Sequence, residues 1–200
     1  LQFTLEETTQ YLLARRRLDL RPAQIEHLHL RTEGWPAALW LAALALEQRA
    51  ETDKFLATFS GTHASIAEYL AEDVLARQPE HVQSFLLRTS VLTHLSAPVC
   101  DAVSGQSNSA ELLDYIARAK LFLSPSDEIA DGFRYHALFA EFLRAQLQRR
   151  FPEEVARLHR AASQWYSENG QPASAIGHAI LSKDWSFALP LLEEWAGQFL

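Results

Sequence analysis

The stretch Gly132-Phe133-Arg134-Tyr135-His136-Ala137-Leu138-Phe139-Ala140-Glu141-Phe142-Leu143 changes its hydrophobic period half-way along. Phe133 to Tyr135 reads as a short aromatic strand. From Leu138 the apolar residues Leu138, Phe139, Phe142, Leu143 and Leu147 recur at helical spacing. Leu121-Phe122-Leu123 is the expected partner strand, and Pro125 to Gly132 has the composition of the turn between them. A strand that hands over directly to a helix leaves few folds open. It places His136 at the junction, where packing on both sides can fix the ring and still present an imidazole edge. The N–H groups of a helix start also suit an anion. A second reading stays open on the same residues: a structural histidine bonded to a carbonyl.

Upstream, Thr4-Leu5-Glu6-Glu7 has the form of a capping box and opens a first helix. Pro22 begins a second, which stops at Glu33-Gly34, and Pro36 starts the third almost at once. Gly34 suits the left-handed position after a helix, and Pro36 suits the first helical turn, where its missing N–H is not needed. The expectation is a tight helix–helix corner with Trp35 at its apex. The third helix is apolar nearly all round, including Trp40, Leu41 and Leu44, and reads as a buried central helix. After a polar stretch from Glu47 to Asp53, Phe55 to Phe59 reads as a short helix and Ser60-Gly61-Thr62 as a break.

Ser65-Ile66-Ala67-Glu68 reads as a second capping box, and helices are expected to open at Pro79 and Pro98 and around Leu112, Leu113 and Ile116. Several short helices ending in a two-strand hairpin is the pattern of a winged helix. DNA-binding winged helices carry a basic recognition helix, whereas here Glu111 and Asp114 stand against Arg118 and Lys120, so this one reads as an internal module. Beyond Arg150, helices are expected at Val155 to Trp165, Ala173 to Leu181 and Trp185 to Phe199. Small residues at Ala161, Gly170, Ala175, Ala179 and Ala188 give the look of helical-hairpin repeats, with further repeats expected beyond Leu200, and Pro190 should kink the last helix or delay its start. The fold class is thus mainly α: a helical domain over 1–60, a winged-helix domain with one small β-hairpin over 61–150, and the start of TPR-like hairpins over 151–200.

The chain of 200 residues carries a net charge of −7, with lysine only at Lys54, Lys120 and Lys183, so no basic field draws it to DNA or an anionic membrane. The single cysteine, Cys100, excludes an internal disulfide and suits a cytoplasmic protein. No apolar run reaches the length of a membrane span. The absence of methionine and the start at Leu1 read as an internal fragment. No G-x-x-x-x-G-K-[ST], H-E-x-x-H, C-x-x-C or G-x-S-x-G occurs, and His27 and His29 stand two apart on a helix, on different faces. No metal site and no self-contained enzyme is expected.

Six segments occur in order: Arg31 to Leu39 (RTEGWPAAL), Tyr69 to Leu75 (YLAEDVL), Phe85 to Leu92 (FLLRTSVL), Leu121-Phe122-Leu123, Arg134 to Phe139 (RYHALF) and Leu158 to Ala162 (LHRAA). Together they resemble the large ATP-dependent LuxR-type transcriptional regulators, the MalT-like group of STAND-class ATPases, over essentially the whole chain. The resemblance implies a middle segment. An upstream P-loop domain binds ATP or ADP, a helical domain and a winged helix close over it, repeats sense an inducer, and a C-terminal domain binds DNA. It implies cofactor-binding roles for Gly34, Trp35 and Pro36, whose motif abuts the adenine, and for His136, which contacts the β-phosphate of ADP. The loop Ser126 to Gly132 departs from the family by being less aromatic. Expected partners are the flanking domains of the same chain, an inducer and a second copy in the active state, with DNA reached only through the missing domain and no membrane. The rival reading is a helical-repeat interaction scaffold without a nucleotide role.

Overall fold

A computed structural model describes residues 2–47, 52–119, 121–126 and 132–196, the side chains of 194–196 excepted. Contacts divide the chain into two compact units, Leu1–Arg77 with His136–Phe142, and Gln78–Tyr135 with Leu143–Leu200.

The first unit is helical. Helix α1 (Leu5–Thr9) opens on the expected box: Thr4 Oγ1 accepts from the Glu7 N–H at 3.2 Å and Glu7 Oε2 from the Thr4 N–H at 2.8 Å. It continues as a π-helical turn, Gln10–Arg15, that buries Leu12. Helix α2 (Pro22–Thr32) has proline in its first turn and ends with Glu33 at φ 47° and Gly34 at φ 69°. Helix α3 (Pro36–Glu47) follows after Trp35 alone. The corner therefore forms where the Gly-Trp-Pro sequence places it. Burial on α3 is one-sided, however: Ala38, Leu39, Ala42 and Ala43 are fully buried, while Trp40 is 47% and Leu44 37% exposed. An apolar surface all round a helix is necessary for central burial and does not secure it.

Helix α4 (Thr52–Thr58) buries Phe55 and Leu56. Helix α5 (Ala64–Tyr69) starts two residues earlier than the expected box allows. His63 is its N-cap, the Ala67 N–H reaches the His63 carbonyl at 2.8 Å, and Ser65 lies inside the helix. A hydroxyl inside the first turn cannot cap it. The helix continues as a second π-helical turn, Leu70–Leu75. The start of helix α9 (Ala137–Arg150) completes this unit with Leu138, Phe139 and Phe142, all buried.

The second unit holds α6 (Glu80–Thr89), α7 (Ala97–Ser104), α8 (Ser109–Arg118), the strands β1 (Leu123–Pro125) and β2 (Phe133–Tyr135), the rest of α9, α10 (Pro152–Glu168), α11 (Pro172–Leu181) and α12 (Trp185–Ala196). The hairpin is antiparallel, with Leu123 opposite Tyr135, Ser124 opposite Arg134 and Pro125 opposite Phe133. Strand β1 thus begins two residues after the expected Leu121, because Phe122 at φ 54° breaks the extended run and the Leu121 N–H still closes onto Ile116. Pro125 fits because both backbone groups of Phe133 bond to Leu95 on the opposite edge, at 2.7 and 2.8 Å, so no donor is asked of the proline. The Ser126 N–H closes the hairpin onto Gly132 at 2.8 Å. The remaining turn residues 127–131 lie outside the described residues, as do Lys120, residues 48–51 of the polar stretch and the expected last turn of α12 through Phe199.

Helices α10 and α11 form a hairpin closed at Gly170, φ 68°. Ala162, Ser163, Ala175 and Ala179 are fully buried there, and the Ser163 hydroxyl donates to the Ala175 carbonyl at 2.8 Å. Side chains this small allow the two backbones to come close. Pro190 lies within α12, which begins at Trp185, so it does not delay the helix. No helix among the described residues is long and apolar enough to cross a membrane.

Candidate functional site

The end of α2 and the start of α9, a hundred residues apart in sequence, meet within the first unit. The rings of Trp35 and His136 lie edge to face, with centroids 5.8 Å apart at 71°, and Tyr69 packs against Trp35 at 5.7 Å. His136 is only 3% exposed. Its Nε2 lies 2.7 Å from the Thr32 carbonyl oxygen. A carbonyl only accepts, so Nε2 carries the proton and donates. The ring is therefore enclosed rather than presented at an edge, and makes the carbonyl bond that the structural reading of the sequence required.

Glu33 supplies the next link. Its Oε1 accepts from the Ala137 N–H at 2.9 Å, so a carboxylate caps the first residue of α9, where the helix dipole favours negative charge. Glu33 does this from φ 47°, a conformation that L side chains seldom adopt and that costs on the order of 1 kcal/mol. Gly34 follows at φ 69°, and a Cβ there would lie 2.1 Å from the Phe3 carbonyl oxygen. The Phe3 N–H donates to the Gly34 carbonyl at 2.7 Å. Gly34 thus serves the left-handed backbone and a close approach of the N-terminal segment together. Pro36 starts α3 and is half-buried, like Trp35.

A third link lies one turn along α9. Glu141 accepts from an Arg31 amino group at 2.9 and 3.1 Å and from the Gly61 N–H at 2.9 Å. Arg31 also donates to the Phe59 carbonyl at 3.1 Å. A Cβ on Gly61 would lie 1.8 Å from the Leu138 carbonyl oxygen, so the Ser60–Thr62 turn presses directly on the α9 backbone.

The four residues singled out in sequence therefore share one corner, and Trp35 and His136 touch. Arg31, Thr32, Glu33, Gly61 and Glu141, which hold that corner, carried no sequence signal of their partnership. Their bonds span up to 110 residues, and each was legible only as a helix end, a break or a polar face. The two histidines of α2 are used separately: His29 Nδ1 lies 3.0 Å from Thr8 Oγ1 and His27 Nε2 3.2 Å from the Leu56 carbonyl oxygen.

Residues 71–155 match the family model of the MalT winged helix domain. This chain is a MalT-like segment. It is 31% identical over 199 residues to the HTH-type transcriptional regulator MalT of Vibrio cholerae, covering 98% of this chain and 22% of that protein. To MalT of Cronobacter sakazakii it is 32% identical over 196 residues, 96% of this chain and 22% of that one. It is also 34% identical over 194 residues to the serine/threonine-protein kinase PknK of Mycobacterium tuberculosis strain H37Rv, 97% of this chain and 18% of the kinase. The MalT-like segment spans about a fifth of the length of these relatives. Its mainly helical fold, with one small hairpin among the described residues, agrees with the matched domain.

Proposed function

We propose that this MalT-like segment is the regulatory middle part of a large transcription regulator, closing over ATP or ADP held by an upstream P-loop domain and relaying an inducer to self-association. The observation that supports this best is the meeting of Gly34-Trp35-Pro36 with His136, two motifs far apart in sequence that share one corner. In this reading the adenine lies against the Gly-Trp-Pro corner. A phosphate oxygen accepts the Nε2–H hydrogen bond of His136 in place of the Thr32 carbonyl. The division into a helical domain over 1–60, a winged helix over 61–150 and helical repeats over 151–200 belongs to the same proposal.

A further observation speaks for a relay rather than an output module. Segments similar to this one occur in proteins named as a kinase and as HTH-type transcriptional regulators, so one segment accompanies two different outputs. The rival, an interaction scaffold without nucleotide, makes the opposite forecast for one measurement. ADP added to the protein carrying its upstream domain should raise the melting temperature, with a stabilisation of about 2.7 kcal/mol at a hundredfold excess over Kd. His136→Ala should weaken that response and speed ADP release, since a charge-assisted bond of this type contributes about 1.5–3 kcal/mol. No shift with ADP would leave the scaffold reading.

A further inference from the structure

His159, from the Leu-His-Arg-Ala-Ala motif of α10, meets His178 of α11 inside the second unit, and the proposed function makes no use of either. The two Nδ1 atoms lie 2.9 Å apart and the ring centroids 5.1 Å. Both residues are buried, at 9% and 8% exposure. Tyr166, also on α10, stacks on His178 at 5.4 Å and 19° between planes, so the ring of His178 is gripped on its face as well as at Nδ1.

Two imidazole nitrogens at this distance can share only one hydrogen. One ring must be the Nδ1–H tautomer and donate, while the other keeps its Nδ1 lone pair and carries its hydrogen on Nε2. A proton on the acceptor's Nδ1 would set two N–H groups against each other with no acceptor between them. The donor ring keeps a lone pair on Nε2, and a proton there leaves the shared hydrogen in place but puts an imidazolium in a buried site acted on by the Arg144 guanidinium. Either proton favours separation of the rings. We propose that the His159–His178 pair is a proton-operated latch, holding α11 on α10 while both rings are neutral and releasing it on acidification.

The surroundings favour the neutral pair. Burial lowers the pKa of His159, and the Arg144 guanidinium on α9 lowers it further. Burial, followed by the neighbouring His159, lowers His178 to about 4. On α7, Cys100 acts on Tyr166 but is itself held neutral by burial, and Asp101 accepts from the Ser109 N–H. Arg160 of α10 and Asp184, which follows α11, are bound to each other. On α12, Glu193 is exposed. The nearby carboxylates are thus committed elsewhere or in solvent. A histidine whose folded pKa is depressed contributes stability that is complete above its ordinary value near 6.5 and is lost as pH falls from there towards 4.

The test is native-state hydrogen exchange of the α11 amides in the 200-residue chain, corrected for the intrinsic pH dependence of exchange. His178→Asn places an amide at the Nδ1 contact that can bond His159 without titrating. Between about pH 7 and about pH 5 the opening constant of α11 should rise about twentyfold more in the wild type than in this variant. An equal rise in both overturns the latch. Should the variant not fold, long-range proton–nitrogen NMR of the wild type decides. One Nδ1–H and one bare Nδ1, both rings neutral at about pH 6, are expected. An imidazolium at either position at that pH overturns it.

Discussion

Gly61→Ala tests the contact that ties the Ser60–Thr62 turn to the first turn of α9. Gly61 does not occupy the left-handed region, so alanine meets no backbone penalty there, and it should even gain about 0.4–1 kcal/mol by restricting the unfolded chain. Against this, the new Cβ would sit 1.8 Å from the Leu138 carbonyl oxygen and 3.0 Å from the Phe142 nitrogen, both backbone atoms of a helix that cannot swing aside. Relief requires the turn to move off α9. That movement strains the core, at about 1–3 kcal/mol. It also weakens the charge-assisted bond from the Gly61 N–H to Glu141, at about 1.5–3 kcal/mol. The net loss is then about 2–5 kcal/mol. For a chain of this size each kcal/mol moves Tm by about 2–4 °C. Urea titration with tryptophan fluorescence, in which Trp35 and Trp40 report on the first unit, reads the change. Glu141→Gln keeps the shape, removes only the charge and should lose less. A Gly61→Ala protein as stable as the wild type would refute the close approach and, with it, the account of how α9 is held.

Two further outcomes follow from burial. Trp35→Ala should cost about 1–3 kcal/mol in chemical denaturation, less than the 3–5 kcal/mol of a fully buried aromatic, because the ring is half-buried and keeps an edge contact with His136 and a tilted one with Tyr69; a loss at the upper value would mean that the corner is packed more deeply than described. Cys100 is fully buried, and burial pushes its thiol up to about 12, so iodoacetamide at mildly alkaline pH should label it only after denaturant is added; rapid labelling of the folded protein would contradict that burial.

Much of the fold was legible because it is local. The Thr4 capping box, the stop at Glu33-Gly34, the restart at Pro36 and the change of period at His136 each depend on residues within one or two helical turns. The Ser65 box failed because the sequence pattern cannot say which residue takes the non-helical dihedrals, and His63 does. The exposure of Trp40 and Leu44 was hidden because a helix that is apolar all round carries no mark of which side is covered. At the candidate site, the positions were legible and their bonds were not. The donor from His136 goes to a main-chain carbonyl, which every residue possesses, and the acceptor for Ala137 is a glutamate that reads as an ordinary helix end. Only the folded chain shows that Thr32 and Glu33 are both turned to the same helix start.

The two π-helical turns, Gln10–Arg15 and Leu70–Leu75, bear on how related chains should be compared. A π turn accommodates one residue more than an α turn of the same span, as a bulge in the helix. A homologue lacking one residue within either segment need not have lost the helix. It would run through the same space as plain α-helix, with the side chains before and after still in register with their own cores. A single-residue gap in an alignment at these two places is therefore physically admissible, whereas the same gap in α2 would turn His29, Arg31 and Thr32 away from the partners they now meet.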